Sequence, residues 1–407
     1  MIRLLLTILL LTVLPTWAQD QVGTVAGAGG EIGSADGTGS SARFNDPSGL
    51  AVGPNGRIFL ADSRNHVIRV IATDGTVSTM AGTAGEQGSV DGLGAFARFD
   101  HPSGLVALAD GTLLIGDTGN HTIRRIAVDG AVTTFAGLAG QADHVDGPSV
   151  SARFSSPIGL AVDGSGNVFV ADSGNHVIRR IDLSGAVTTF AGRPEEWGAD
   201  DGTNATFNSP LSLAFDSSGN LLVSDANNYV IRQITPAGEV SLFAGHPGDD
   251  SQLGKPAELV VTPNGVIYVA DSLHHVIRRI GMAGGISAVS GSVGQAGDTD
   301  GVNGVAKFFN PYGLALAVDG RLLISDAYNQ TVRELIAPFS VALAPSGNSV
   351  VITWESIPGR SYRMEQRLDA GAGNWTPIGD DVVATGTITS VTLPMTAQSF
   401  VRVLRLP

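Results

Sequence analysis

The chain has 407 residues, 43% of them apolar and 15% charged, with 54 glycines, no cysteine and a formal net charge of −14. The lack of cysteine excludes a disulfide framework and thiolate metal sites, and the acidic balance argues against nucleic acid as a partner. So much glycine without a collagen period calls for many tight turns.

In chain order, the first element is an address. Arg3, the apolar run Leu4 to Leu14, Pro15 and the small residues Thr16 and Ala18 have the form of a signal peptide over residues 1–18. Its apolar run is too short for a spanning helix, and no later segment reaches the about 20 apolar residues a span needs. The expectation is an exported protein, secreted or periplasmic, with no membrane insertion once the leader is removed.

A repeat follows. "ADSRNHVIRVI" from Ala61 returns as "GDTGNHTIRRI" from Gly116, "ADSGNHVIRRI" from Ala171, "SDANNYVIRQI" from Ser224, "ADSLHHVIRRI" from Ala270 and "SDAYNQTVREL" from Ser325. Its acid falls at Asp62, Asp117, Asp172, Asp225, Asp271 and Asp326, at spacings of 55, 55, 53, 46 and 55 residues. Around each copy lie four short apolar runs separated by glycine-bearing turns. In the third unit they start at Ile158, Asn167, His176 and Val187, with "DGSG" and "LSG" as hairpin punctuation. Four antiparallel strands per unit, six times over, describe an all-β, six-bladed β-propeller over residues 19–338. The sixth unit lacks its outer strand, and "VGTVAG" (Val22 to Gly27) supplies one from the N-terminus. The ring is therefore expected to close by donation of that strand.

The pattern "ADSxNHxIRxI", preceded by "DGxGxxARFxxPxGLAV", resembles bacterial NHL-repeat propellers from about Val22 to Ala337. The resemblance implies the fold far more than a function. Residues 339–407 change in character. "SVVITWESIPGRSYRMEQRL" alternates as strands do, and the segment resembles a small fibronectin-like β-sandwich, with Trp354, Tyr362 and Trp375 expected mainly as core aromatics.

The loops that enter each blade carry an acid seven residues before a base: Asp36 and Arg43, Asp91 and Arg98, Asp146 and Arg153, Asp300 and Lys307. These read as structural acid–base clasps, with Phe44, Phe99, Phe154, Phe207 and Phe308 plugging between blades. Blade four keeps acids at Asp200 and Asp201, and blade five has lost the pattern. The Asp–Asn–His motif recurs around a ring instead of converging on one point, as a catalytic or metal constellation must. His66, His121, His176 and His275 open the third strands, and Tyr229 and Gln330 take their place in blades four and six. The acids read as acceptors for turn amides, the imidazoles as hydrogen-bonding spacers, and Arg69, Arg125 and Arg179 as mid-strand partners.

A specific site is then sought among departures from the repeat on the loop-rich face: Trp197, Tyr229, Glu258, His274, Tyr312 and Tyr328. The leading expectation is a non-catalytic protein that binds a protein, peptide or glycan, with no cofactor. The alternative is a metal-dependent hydrolase or lyase of the lactonase or amidating-lyase propeller type, working in the central channel with Ca2+ or Zn2+. The amidating lyase places histidine ligands just after the proline that opens an inner strand. Here those positions read Ser48, Ser103, Ile158, Leu211, Ala257 and Tyr312, and Glu258 is the lone carboxylate near the channel mouth.

Overall fold

A proline opens the inner strand of every blade. Pro47, Pro102, Pro157, Pro210, Pro256 and Pro311 each stand at the first strand position, where the missing N–H costs the ladder nothing. The computed structural model describes residues 21–302, 304–336, 341–346, 349–356, 361–367, 375–386, 388–394 and 400–405. The signal peptide expected over residues 1–18 lies outside the described residues. Among the described residues no helix is long and apolar enough to cross a membrane.

Blade three shows the common plan. Its inner strand is Pro157–Val162, its second Val168–Asp172, its third Val177–Ile181 and its outer Ala186–Ala191, all antiparallel. Gly185, at φ +81°, turns the third strand into the outer one. Four blades carry one strand more than the expected four. Gly37–Thr38, Gly92–Leu93, Gly147–Pro148 and Gly301–Val302 each add a two-residue strand at the outer edge of blades one, two, three and six. The entering loop thus runs out to the rim of its own blade before returning inward. Blades four and five have four strands each.

The ring closes as the repeat demands. Gln21–Gly27 forms the outer strand of blade six, beside Thr331–Ile336. Apolar cores lie between adjacent blades, and the one spanning blades six and one joins Ala26, Phe44 and Leu50 to Ala315 and Leu323. Inner strands approach so closely that a Cβ on Gly159 would collide with the Leu211 carbonyl. Glycine at that position therefore sets how tightly the blades gather round the channel.

The compact propeller unit spans Gln21–Leu335. The described residues beyond it form two small sheets of their own. One contains Val341–Ser346, Ser349–Glu355 and Ile388–Pro394, and the other pairs Ser361–Arg367 with Phe400–Arg405, Thr376–Pro377 and Val382–Val383. Their shared core holds Ile352, Trp354, Tyr362 and Met364, with the Trp354 and Tyr362 rings 5.7 Å apart.

Candidate functional site

The repeated motif folds into one corner, seen clearly in blade three. Ser173–Asn175 makes a single 3₁₀ turn after Asp172, and His176 leaves it in the left-handed region at φ +59°. His66, His121 and His176 thus cap 3₁₀ turns, His275 ends a plain turn in the same left-handed conformation, and the third strands begin one residue later, at Val67, Thr122, Val177 and Val276. One oxygen of the Asp172 carboxylate accepts the Ser155 N–H at 2.7 Å. The other accepts from Asn175 Nδ2 at 2.8 Å and Arg179 Nη1 at 2.9 Å.

Arg179 carries the corner outward. Nη1 also donates to the Arg153 carbonyl, and Nη2 donates to the Val145 carbonyl at 3.0 Å and to Asp146 Oδ1 at 2.6 Å. Its guanidinium lies 5.0 Å from the centre of the Phe154 ring. The partner of the loop acid is therefore this strand arginine. The pairs Asp36–Arg69, Asp91–Arg124, Asp146–Arg179 and Asp300–Arg333 replace the four expected seven-residue clasps, and Asp201–Arg232 makes the same pair in blade four. Arg43 and Arg98 instead pair with Glu31 and Glu86, Arg153 with Gln141, and the Lys307 stem lies against Gly297. The arginine stands three residues after the cap, so blade two uses Arg124, fully buried, and Arg125 faces solvent.

Burial pushes the carboxyls of Asp62, Asp117, Asp172, Asp225 and Asp326 up to about 6, opposed by the asparagine and arginine that hold them. The imidazoles serve the neighbouring blade. Nδ1 of His66, His121, His176 and His275 accepts the backbone N–H of His101, Ser156, Ser209 and Asn310, at 3.1–3.2 Å. Gln330 Oε1 does the same for Asp46 at 2.7 Å and so ties blade six to blade one. An acceptor at that point must present a lone pair, which fixes the proton of each imidazole on Nε2. Tyr229 caps the blade-four turn in the same left-handed conformation, half-buried.

Blade five departs. His274 replaces the asparagine, its Nδ1 2.9 Å from Asp271 Oδ2, and Arg278 reaches the same oxygen through Nε. On its inner strand Glu258 stands where four other blades have glycine, and its Oε2 accepts the Leu314 N–H of blade six at 2.8 Å. Burial pushes its carboxyl up to about 8, against the pull of the Leu314 and Leu50 amides. Glu258 thereby bridges blades five, six and one. Ser212 does a smaller version of this in blade four, its Oγ accepting the Leu259 N–H at 3.2 Å.

At the channel mouth, burial pushes the Tyr312 phenol up to about 12, while its hydrogen bond with Ser103 of blade two pulls the other way. Ser103 in turn stands 3.0 Å from Ser48. Tyr312, Glu258 and His274 are thus engaged within the ring. Trp197 and Tyr328 are not: they are 72% and 51% exposed. Tyr328 packs edge-on against Phe309 at 5.1 Å, and Phe309 against His275 at 5.4 Å. Phe309 belongs to this exposed aromatic group, although sequence reasoning passed over it. The signal was a phenylalanine where the other long entering loops have Asn45, Asp100, Ser155 and Asn208.

The NHL repeat model matches residues 44–71, 99–126 and 154–181, so the chain carries NHL repeats in its first three blades. The Arabidopsis thaliana protein SUPPRESSOR OF QUENCHING 1, chloroplastic, is 36% identical over 151 residues, covering 35% of this chain and 14% of its own length. The Bos taurus NHL repeat-containing protein 2 is 33% identical over 175 residues, 39% of this chain and 24% of its own. The chain thus spans less than a quarter of either relative. Among solved structures, an auxiliary nutrient binding protein from Bacteroides thetaiotaomicron shares the fold at TM-score 0.59 and 14% identity, covering 79% of this chain and 77% of that one. A gluconolactonase from Xanthomonas campestris does so at TM-score 0.52 and 15% identity, covering 77% and 98%.

Proposed function

We propose that the protein is an exported, non-catalytic binding protein whose loop-rich propeller face takes a protein, peptide or glycan. The observation that carries this reading is the division of labour among the departures from the repeat. Those near the channel, Tyr312 and Glu258, spend their polar atoms on neighbouring blades. Those on the loop-rich face, Trp197 and the Phe309–Tyr328 pair, leave aromatic surface open to solvent, the kind of rigid contact area that binding faces favour. The likeness to auxiliary nutrient binding proteins agrees with it, as does the net charge of −14, which disfavours polyanions.

The second reading, a metal-dependent hydrolase or lyase with Glu258 as its channel anchor, is kept by the likeness to a gluconolactonase and a streptogramin B lyase. One experiment separates the two. Purified chain is applied to glycan and peptide arrays and assayed against lactone and cyclic depsipeptide substrates. The binding reading expects an array ligand whose affinity falls at least tenfold in Trp197→Ala/Tyr328→Ala and is unchanged in Glu258→Gln. Turnover abolished by Glu258→Gln would establish the second reading.

A further inference from the structure

The junction between blades one and two differs from every other junction in its chemistry. His66 presents its Nδ1 lone pair there as part of the repeat, accepting the His101 amide at 3.2 Å. At equivalent junctions the two residues facing that lone pair are Ser155 and Ser156, Asn208 and Ser209, or Phe309 and Asn310. Here they are Asp100 and His101. We propose that His66, Asp100 and His101 form a binding site for a divalent transition-metal ion of the zinc class, with a further coordination position open to solvent. This site lies outside the channel chemistry weighed above and does not depend on which macromolecule the loop-rich face takes.

The geometry suits such an ion. One ligand atom from each residue lies within 4.8 Å of the other two. His101 Nδ1 is 2.7 Å and His66 Nδ1 3.6 Å from Asp100 Oδ1. Ligands about 2.0–2.1 Å from a tetrahedral ion stand roughly 3.3 Å apart, so the two distances bracket the requirement, and small side-chain rotations meet it once the ion replaces the His101 N–H as the partner of the His66 Nδ1 lone pair. The backbone beneath is fixed. The Asp100 N–H is held by Asp117 Oδ1 at 2.7 Å, and both histidines sit in the left-handed region, at φ 58° and 49°. Gly119 leaves the space that the Asp100 carboxylate fills, since a Cβ there would stand 2.5 Å from its Cγ. Two imidazoles and one carboxylate favour zinc, nickel or copper over calcium and magnesium, which seek oxygen. His101 is 51% exposed, which leaves room for water or an anionic group of a ligand.

The test uses untagged full-length chain, stripped with chelator and titrated with zinc chloride by calorimetry, with calcium and magnesium as competitors. The repeat supplies mild variants: His66→Gln copies blade six, Asp100→Asn copies blade four, and His101→Ser copies blade three. Thermal unfolding confirms that each remains folded. The expected result is one zinc per chain, undisturbed by calcium or magnesium, lost in His101→Ser and His66→Gln and weakened at least tenfold in Asp100→Asn. His144→Ala and His246→Ala should bind as the parent does. Absence of saturable one-to-one binding, or equal affinity in the parent and all three junction variants, would overturn the proposal.

Discussion

Blades three and five use the same sequence motif for different amounts of work. In blade three, Arg179 is fully buried and joins two carboxylates, two loop carbonyls and an aromatic face. In blade five the entering loop is short and lacks the acid and the phenylalanine. Arg278 keeps Asp271 and His274, and its side chain remains 10% accessible. The motif that looks like chemistry in one line of sequence is thus a device for pinning a long loop. Where the loop shrinks, the device relaxes, and the inner strand takes up the linking role through Glu258.

The largest expected effect breaks the pin. Arg179→Met strands the buried Asp172 carboxylate and two loop carbonyls, and removing one partner of a buried pair costs about 3–5 kcal/mol. Arg278→Met strands the buried Asp271 in the same way but frees no loop carbonyl, and should cost less. Calorimetric unfolding of the propeller transition measures both. Equal losses would mean that the loop contacts contribute nothing and that the contrast between the blades is only apparent.

How much of this was legible beforehand follows from what repeats. The number of blades, the four main strands of each, ring closure by the N-terminal strand and the five plugging phenylalanines are carried by period and hydrophobic pattern, which one chain states six times. The pairing of Asp146 with Arg179 was hidden, because the seven-residue spacing to Arg153 suggests a local clasp while the true partner lies 33 residues downstream. A 3₁₀ turn and one left-handed residue shift the register between motif and strand, and that moved the arginine from Arg125 to Arg124. Two-residue edge strands such as Gly37–Thr38 leave no periodic trace. The Asp100–His101 departure was visible in "RFDHP", but only the fold shows that His66 faces it.

The next prediction sharpens blade five. The Glu258 carboxyl has a folded value of about 8 against an ordinary 4.5. A raised carboxyl contributes stability that is complete below the unfolded value and is lost as pH rises through the folded one. Wild-type stability should therefore decline between pH 4.5 and about 8 by a component that Glu258→Gln lacks. Over that window the difference between the two should move in the variant's favour by on the order of 5 kcal/mol. Parallel pH profiles would show that water in the channel already solvates the carboxylate and that it does not staple three blades.

A smaller effect is expected where blades meet through the caps. His176→Ala removes the acceptor of the Ser209 N–H and should cost about 1 kcal/mol. His176→Gln, which installs the residue that blade six uses, should fall within about 0.5 kcal/mol of wild type. A Gln variant as damaged as Ala would assign the imidazole a role beyond accepting that bond.

The smallest change should come from Asp146→Asn. Its carboxylate is 45% exposed, so its pair with Arg179 is heavily screened and is worth at most about 1 kcal/mol globally. Its local effect should be larger than its global one. Asp146 also accepts the Thr189 N–H and hydroxyl of the outer strand, so it fastens the loop to the rim of the blade. Hydrogen exchange should quicken at Gly147 of the rim strand and around Thr189, while the inner strand Pro157–Val162 stays protected. Blade five has no such acid, and its short loop should already exchange at the faster rate in the wild-type chain. If the Asp146→Asn loop exchanges no faster than before, Arg179 alone holds it, and the difference between the two blades reduces to the phenylalanine and the loop carbonyls.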